Sequence, residues 1–204
     1  MKKYLMMVVV ALMATTGVKA QNEEMTWSFM PKVGWNLCTW AGDPDAKWMS
    51  GYRGGFEVEY GLSDNVGLVA GLNYSLQGTK SKDAQGDDMK WMLGYTNIPL
   101  LVQYYPVKGL ALKAGAQLGF LTSKKAKENG VQVDIDKLEA FFEVDAGFRK
   151  FDLAIPLGIS YEYANFVIDA RYNLALIGII KGYDKTMRNS VFQFSLGYKI
   201  PFSN

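Results

Sequence analysis

Acidic and basic residues recur two apart within extended, alternating stretches of this chain, and any chemistry would have to start from that spacing. Glu57 and Glu59 set two carboxylates on one strand face, an arrangement that could share a proton or divide acid and base work. Asp169 and Arg171 repeat the spacing with opposite charge, within reach of each other or of cross-strand partners. The same face collects Lys32, Gly34 and Asn36, then Arg53, Asn73, Ser75 and Gln103. It continues with Lys113, Gly115, Gln117, Gly158, Ser160 and Glu162, and with Gln193, Ser195 and Lys199. Five of these are cations (Lys32, Arg53, Lys113, Arg171, Lys199) and four are anions (Glu57, Glu59, Glu162, Asp169), a near balance that suits mutual pairing. Charges in a confined space must be paired, because desolvation is otherwise too costly.

Catalysis is the weaker use of these groups. The chain has no histidine, which excludes Ser-His-Asp and Cys-His chemistry and nearly all zinc and non-haem iron sites. No nucleophile stands beside the carboxylates, so neutralisation by Lys or Arg is expected, with no enzyme activity and no cofactor. Two uses of Arg53, Glu57, Lys113, Glu162, Asp169 and Arg171 stay open: a gate or narrow ion path, or a static network that fills a barrel and fixes register. Asp43, Asp45, Asp87 and Asp88 could offer oxygen ligands to a divalent cation, but their spacing is not that of an EF-hand loop, so no metal is expected. Cys38 is the single cysteine, so an intramolecular disulfide is excluded and a small buried filler is expected.

The elements that must position these residues are strands. Eight segments alternate with period two: 27–39, 51–62, 66–79, 91–105, 110–122, 151–163, 165–176 and 190–202. Each is long enough to cross a bilayer at a tilt, which takes about 9–11 residues. Tight turns at Ser63-Asp64-Asn65, at Pro106 to Gly109 and at Ala164 alternate with longer polar stretches at 41–50, 80–90, 123–150 and 177–189. Within the third of these, Asp136 and Glu139 form a capping-box pattern, with Leu138, Phe141 and Phe142 at helical spacing. The spacing fits a short helix at the barrel mouth equally with an early start of the sixth strand over 141–148.

The side chains opposite the polar set are apolar. Trp27, Phe29, Tyr60, Tyr104, Tyr163, Phe166 and Phe202 fall near the short-turn rim. Trp35, Tyr52, Tyr74, Tyr95, Phe120, Tyr172 and Phe192 fall toward the long-loop rim, with Leu68, Leu72, Leu100, Val102, Leu112, Leu118, Ile155 and Leu157 between. Two aromatic girdles around an aliphatic band describe a surface facing acyl chains. The expected fold is therefore all-β, an eight-stranded antiparallel up-and-down transmembrane β-barrel. The expected location is the outer membrane, with outer-membrane lipid as a partner, both termini periplasmic and the long loops extracellular.

Residues 1–20 carry Lys2 and Lys3, an apolar run and Val18-Lys19-Ala20, the makings of a secretory signal, leaving 21–204 as the barrel domain. The precursor's 22 Lys+Arg and 20 Asp+Glu lose Lys2, Lys3 and Lys19 with that signal, which leaves a net charge of −1. No nucleic-acid partner is expected from such a balance. No Cys follows the expected cleavage site, so no lipoprotein anchor is expected, nor a peptidoglycan-binding domain after the last strand.

Apolar residues at 192, 194, 196, 198, 200 and 202 alternate with Gln, Ser, Gly, Lys and Pro, as a closing stave requires. Ser195, Gly197, Ile200 and Phe202 fit the polar-x-Gly-x-x-apolar-x-aromatic ending that resembles the signal read by the barrel-assembly machinery. Ser203 and Asn204 follow the aromatic, a departure from that pattern.

Several segments look familiar: Asn97 to Tyr105, Ala114 to Leu121, Ile168 to Leu174 and Lys32 to Leu37. Together they resemble the small outer-membrane β-barrels of Bacteroidetes-type bacteria, the porin-family or PorT-like barrels. The resemblance implies a monomeric eight-stranded barrel without catalytic residues, and its "porin" label does not imply an open pore. The expected function is non-enzymatic: a barrel with a side-chain-filled lumen, acting through its loops in adhesion, envelope integrity or as a secretion accessory, with an extracellular or envelope protein partner. Two alternatives are a narrow channel for ions or very small solutes, and a soluble periplasmic lipocalin-like calyx with its apolar face inward.

Overall fold

The computed structural model describes residues 25–82, 88–128, 131–142, 147–181 and 187–202, with only the backbone described at 88, 128, 138–140 and 142. The expected signal at 1–20 and Asp87 lie outside the described residues. The strands are β1 (Trp27–Ala41), β2 (Met49–Ser63), β3 (Val66–Lys82), β4 (Asp88–Val107) and β5 (Leu110–Glu128). A short β6 (Val131–Asp134) and one helix, α1 (Ile135–Phe142), precede β7 (Phe151–Tyr163), β8 (Phe166–Ala175), β9 (Arg188–Tyr198) and β10 (Ile200–Phe202). β9 and β10 form one stave interrupted at Lys199, since both pair with β1, and β6 only extends β5. The result is a closed, eight-stranded, all-antiparallel barrel.

Closure can be followed through the register. Partners run Trp27, Tyr60, Leu68, Val102, Ala114, Leu157, Tyr172, Phe192 and back to β1 at Leu37. One circuit therefore advances ten residues along β1, which requires strands tilted by about 40° and a narrow interior that side chains fill. The tight turns form where the residues allow them: Ala164 and Asn165 take φ of 47° and 71° in the β7–β8 turn, and Gly109 takes 78° between β4 and β5.

Alternation translates directly into two walls. On β9 the pattern alternates buried and exposed from Val191 to Tyr198, and β8 does the same, with the odd-numbered residues inward on both. Three expectations change at the long-loop end. β3 reaches Lys82 and β5 reaches Glu128, so much of 80–90 and 123–150 is hairpin rather than loop, because backbone pairing continues where side-chain alternation fades. A helix, not an early sixth strand, occupies 135–142, with β7 starting at Phe151. Asp136 is not its N-cap: the helix starts at Ile135, and the Asp136 carboxylate instead accepts the Lys124 backbone N–H at 2.8 Å. The side chains of Leu138, Glu139 and Phe142 lie outside the described residues.

Candidate functional site

The inward face of the strands builds a layered interior. Reading up β1 from the short-turn end, the inward residues are Ser28, Met30, Lys32, Gly34, Asn36, Cys38 and Trp40: ionic low down, amide higher, apolar at the top. β2 runs similarly, with Glu59, Glu57 and Arg53 below Met49, and the remaining strands add residues to the same layers.

The middle layer is a two-carboxylate, four-cation network. Asp169 Oδ2 accepts from Lys113 at 2.9 Å, Lys32 at 3.1 Å and Arg171 at 3.1 Å. Glu57 accepts from Lys32 at 2.8 Å and lies 3.0 Å from the Arg171 guanidinium and 3.8 Å from that of Arg53. Arg53 donates onward to Gln193 Oε1 at 2.7 Å. Lys32 and Arg171 thus each bridge both carboxylates, tying β1, β2, β5 and β8 across the barrel axis. Glycine makes room for it: a Cβ at Gly71 would lie 2.8 Å from Glu57 Cγ, and one at Gly197 would lie 2.9 Å from Lys32 Cγ.

A second network closes the short-turn end. Lys199 donates to Glu59 at 3.2 Å and to Glu162 at 3.1 Å. The Tyr105 hydroxyl donates to Glu59 at 2.9 Å and accepts from Gln103 at 3.0 Å. Glu57 and Glu59, neighbours on one face, therefore belong to different networks, and neither is left as a free acid or base. The interruption between β9 and β10 falls at Lys199, whose side chain turns inward and is buried.

Above the ions lies a belt of amides. Asn36 donates to Ser75 at 2.9 Å, and Gln77 donates to the same hydroxyl at 3.2 Å. Asn73 and Asn173 are buried with neither side-chain polar atom bonded to protein, and Asn97 Nδ2 and Gln117 Oε1 are in the same position. Asn73 and Gln117 thus share the lumen with the predicted ionic set but do not join its network. Buried polar atoms in such a position recruit water.

The top is apolar. Trp40, Leu93, Tyr95, Phe148 and Ile179 form one buried cluster, with Trp91, Leu121 and Met187 packed against it. Phe148 and Ile179 come from the two long connections, which are stitched together by Arg149 N to Ile179 O at 2.7 Å and Lys181 N to Gly147 O at 2.8 Å. Tyr95 corrects the expectation that it joins the outer aromatic girdle. It shares parity with Gln103 on β4 and is buried in this lid. Cys38 packs beside it with Met49 and Val191, its thiol donating to Met49 O at 3.3 Å.

The outward wall is the inverse. Leu68, Leu72, Leu100, Val102, Leu112, Ile155 and Leu157 are exposed, bounded by Trp27, Tyr104, Tyr163, Phe166 and Phe202 at one rim and by Trp35, Tyr52, Phe120 and Phe192 at the other. Ring contacts tie the girdles across strands, with Trp27 to Tyr60 at 4.7 Å and Tyr172 to Phe192 at 4.4 Å. The calyx alternative fails here, because it needs the apolar face inward and the lumen is lined with Lys, Arg, Glu, Asp and amides. Ser195 and Gly197 sit inward on β9, while Ile200 and Phe202 pair with Phe29 and Trp27 at the closing seam. Asp43 Oδ1 accepts the Asp45 backbone N–H at 3.0 Å, a local turn contact. Among the described residues, no group of three His, Cys, Asp or Glu side chains could hold a metal.

Several lumen residues escaped the sequence reading. Tyr105, Asn97 and Asn173 carry the signal of parity, since they stand an even number of positions from Gln103 or Arg171 on their strands. Phe148 and Ile179 carry none, because loop residues have no period.

A family model described as outer membrane protein beta-barrel domain matches residues 19–181. No curated protein matches the chain in sequence. Among solved structures, Ail, the attachment invasion locus protein of Yersinia pestis, is 19% identical over 88% of this chain and 100% of its own, with a TM-score of 0.48. OprG from Pseudomonas aeruginosa is 17% identical over 89% and 98%, with a TM-score of 0.46. Neisserial surface protein A is 14% identical over 86% and 97%, with a TM-score of 0.45.

Proposed function

The chain belongs to the outer membrane protein beta-barrel domain family, and from that premise we propose that it is a non-enzymatic outer-membrane barrel that acts through its long loops rather than through its lumen. The observation that carries this reading is the double closure of the interior: two ion networks below and an apolar lid of Trp40, Leu93, Tyr95, Phe148 and Ile179 above. Two such layers argue against a continuous route for solutes. The β5–β6 hairpin and α1, by contrast, project beyond the barrel and leave Val131, Val133 and Phe141 exposed. In this reading the long loops are extracellular, both termini are periplasmic and the barrel is monomeric. Ser195, Gly197, Ile200 and Phe202 serve the assembly machinery, and residues 1–20 are a cleaved signal. The segments around Asn97–Tyr105 and Ile168–Leu174 support a place among PorT-like barrels. The role is adhesion, envelope integrity or accessory contact in a secretion complex, with an extracellular or envelope protein as partner.

Replacing residues 125–137 by a short Gly-Ser turn tests this. The barrel should still assemble, as judged by heat-modifiable migration, while crosslinking in intact cells should lose its loop-dependent neighbours. An unchanged set of neighbours contradicts the reading. A second reading, a narrow channel, draws on the unpartnered amides of Asn73, Asn97, Gln117 and Asn173, which favour a hydrated upper lumen. Planar-bilayer recording separates the two: silence is expected, and conductance altered by Arg171→Gln would favour the channel.

A further inference from the structure

Among the described residues, the middle network sets four cations, Lys32, Arg53, Lys113 and Arg171, against two carboxylates, Glu57 and Asp169. It therefore carries a surplus of two positive charges near the barrel axis. Crowding is greatest at Asp169, where Lys32, Lys113 and Arg171 all donate to the one oxygen Oδ2, within about 6 Å of one another. Like charges this close repel strongly in a dry interior, and a buried charge without a partner is the costly case. The neighbouring layers do not supply the missing charge. Below, Glu59 and Glu162 outnumber Lys199, but both already bond to it and Glu162 is only half-buried. Above, the inward carboxylate is Asp152, which accepts from Asn189 at 3.1 Å. It stands six residues from Gly158, the β7 partner of Arg171, about 20 Å along the strand.

Donors that would meet a counter-ion stand beside this surplus. Arg171 Nε, Gln193 Nε2, Ser195 Oγ and Asn173 Nδ2 are all buried, and none is hydrogen-bonded to a protein group. They are neighbours on the inner wall. Arg171 stands directly opposite Gln193, with Asn173 two residues on along β8 and Ser195 two residues on along β9. Side chains so related share a face and lie within reach of a common ligand. An Asn amide can turn to present either oxygen or nitrogen, so Asn173 by itself does not choose the sign of that ligand. Gln193 does choose. Its Oε1 accepts from Arg53 at 2.7 Å, which fixes the amide and leaves Nε2 as a donor. A guanidinium N–H and an oriented amide N–H beside surplus cations select a partner that accepts hydrogen bonds and carries negative charge.

We infer that the lumen holds a small inorganic anion of chloride size, bound by Arg171 Nε and Gln193 Nε2 as a built-in counter-ion to the middle network. Its size follows from closure. An ion lodged between the apolar lid and the Lys199 network is enclosed as the barrel forms, which favours a small monovalent species over a phosphate or a carboxylic acid. The anion completes the lumen by letting all four cations keep their charge. Loss of a proton from Lys32 or Lys113 is the competing way to remove the surplus, and it needs no ligand.

Because the ion is enclosed on folding, residues 21–204 should be refolded into detergent micelles separately in sodium chloride, sodium bromide and sodium gluconate of equal ionic strength. Crystals of the bromide-refolded protein should show a bromine anomalous peak in the lumen, within hydrogen-bond reach of Arg171 Nε and Gln193 Nε2. The unfolding equilibrium constant in urea should be about tenfold smaller in chloride than in gluconate, the ratio for an anion at roughly ten times its dissociation constant. Gln193→Glu puts a carboxylate where Arg53 already donates, and it should remove both the peak and the chloride dependence. Gln132→Glu on the exposed β6 should change neither. A wild type without a bromine peak in its lumen overturns the inference whether or not the variants fold. So do a peak confined to the rims, equal unfolding constants in chloride and gluconate, and a folded Gln193→Glu variant that keeps the peak. Nitrogen-15 resonances of Nζ at Lys32 or Lys113 in the neutral-amine range would overturn it as well, by showing that a lost proton removes the surplus.

Discussion

On β8, Ile168 is 64% exposed while Asp169, the next residue, is fully buried and holds Lys32, Lys113 and Arg171. The same contrast repeats on β2, where Phe56 faces outward and Glu57 inward. The outer wall needs only apolarity, so each of its residues acts nearly alone and many side chains would serve. The inner wall needs specific partners, so its residues act as a set and the loss of one strands several others. Tolerance therefore differs by face rather than by position along the chain.

Substitutions can widen or collapse that contrast. The largest effect is expected from Asp169→Ala, which leaves four buried cations with a single remaining carboxylate, Glu57. A loss of about 3–5 kcal/mol in urea unfolding from liposomes is expected, and a loss below that of any outer-wall aliphatic swap would break the comparison. Next is Leu100→Arg, which puts a charge in the middle of the aliphatic band at a cost of about 2–4 kcal/mol, measured the same way. Tyr105→Phe removes the hydroxyl that joins Glu59 to Gln103 and should cost about 1–2 kcal/mol without altering strand content in circular dichroism. Smallest is Leu157→Val on the outer wall, expected at about 0.8 kcal/mol or less, because one methylene is lost and lipid fills the space.

Much of this architecture is legible before any coordinates, and the reasons are local. Period-two alternation fixes which residues share a face, and it places Lys32, Arg53, Glu57, Lys113, Asp169 and Arg171 together because the same face recurs on each strand. Pair identity is less legible. Glu57 and Glu59 look equivalent in sequence, and only closure of the barrel, with its ten-residue advance, sends one to Lys32 and the other to Lys199. Tyr95 shows what happens when residue type is weighed above parity: an aromatic near a strand end resembles girdle, yet its odd position on β4 turns it inward. The lid was hidden for another reason. Phe148 and Ile179 reach it through backbone bonds between two connections distant in sequence, and no periodic signal encodes such a meeting. The paired strand ends at Lys80–Lys82, Met89–Lys90 and Lys124–Lys127 were similarly obscured, since polar residues there stand on both faces and the apolar period is lost.

The central claim is that the apolar wall meets acyl chains while the polar wall fills the interior, and the tryptophans can test it most directly. Residues 21–204 should be reconstituted into bilayers of brominated phospholipid as three single-tryptophan variants, retaining Trp27, Trp35 or Trp40 with the others changed to Phe. Trp27 and Trp35 lie on the outward wall, and Trp40 is buried in the lid. Strong quenching of Trp27 and Trp35 with weak quenching of Trp40 is the expected result. Quenching of Trp40 equal to that of Trp35, or a protein that remains in the aqueous phase with none of the three quenched, would contradict the assignment of the two walls.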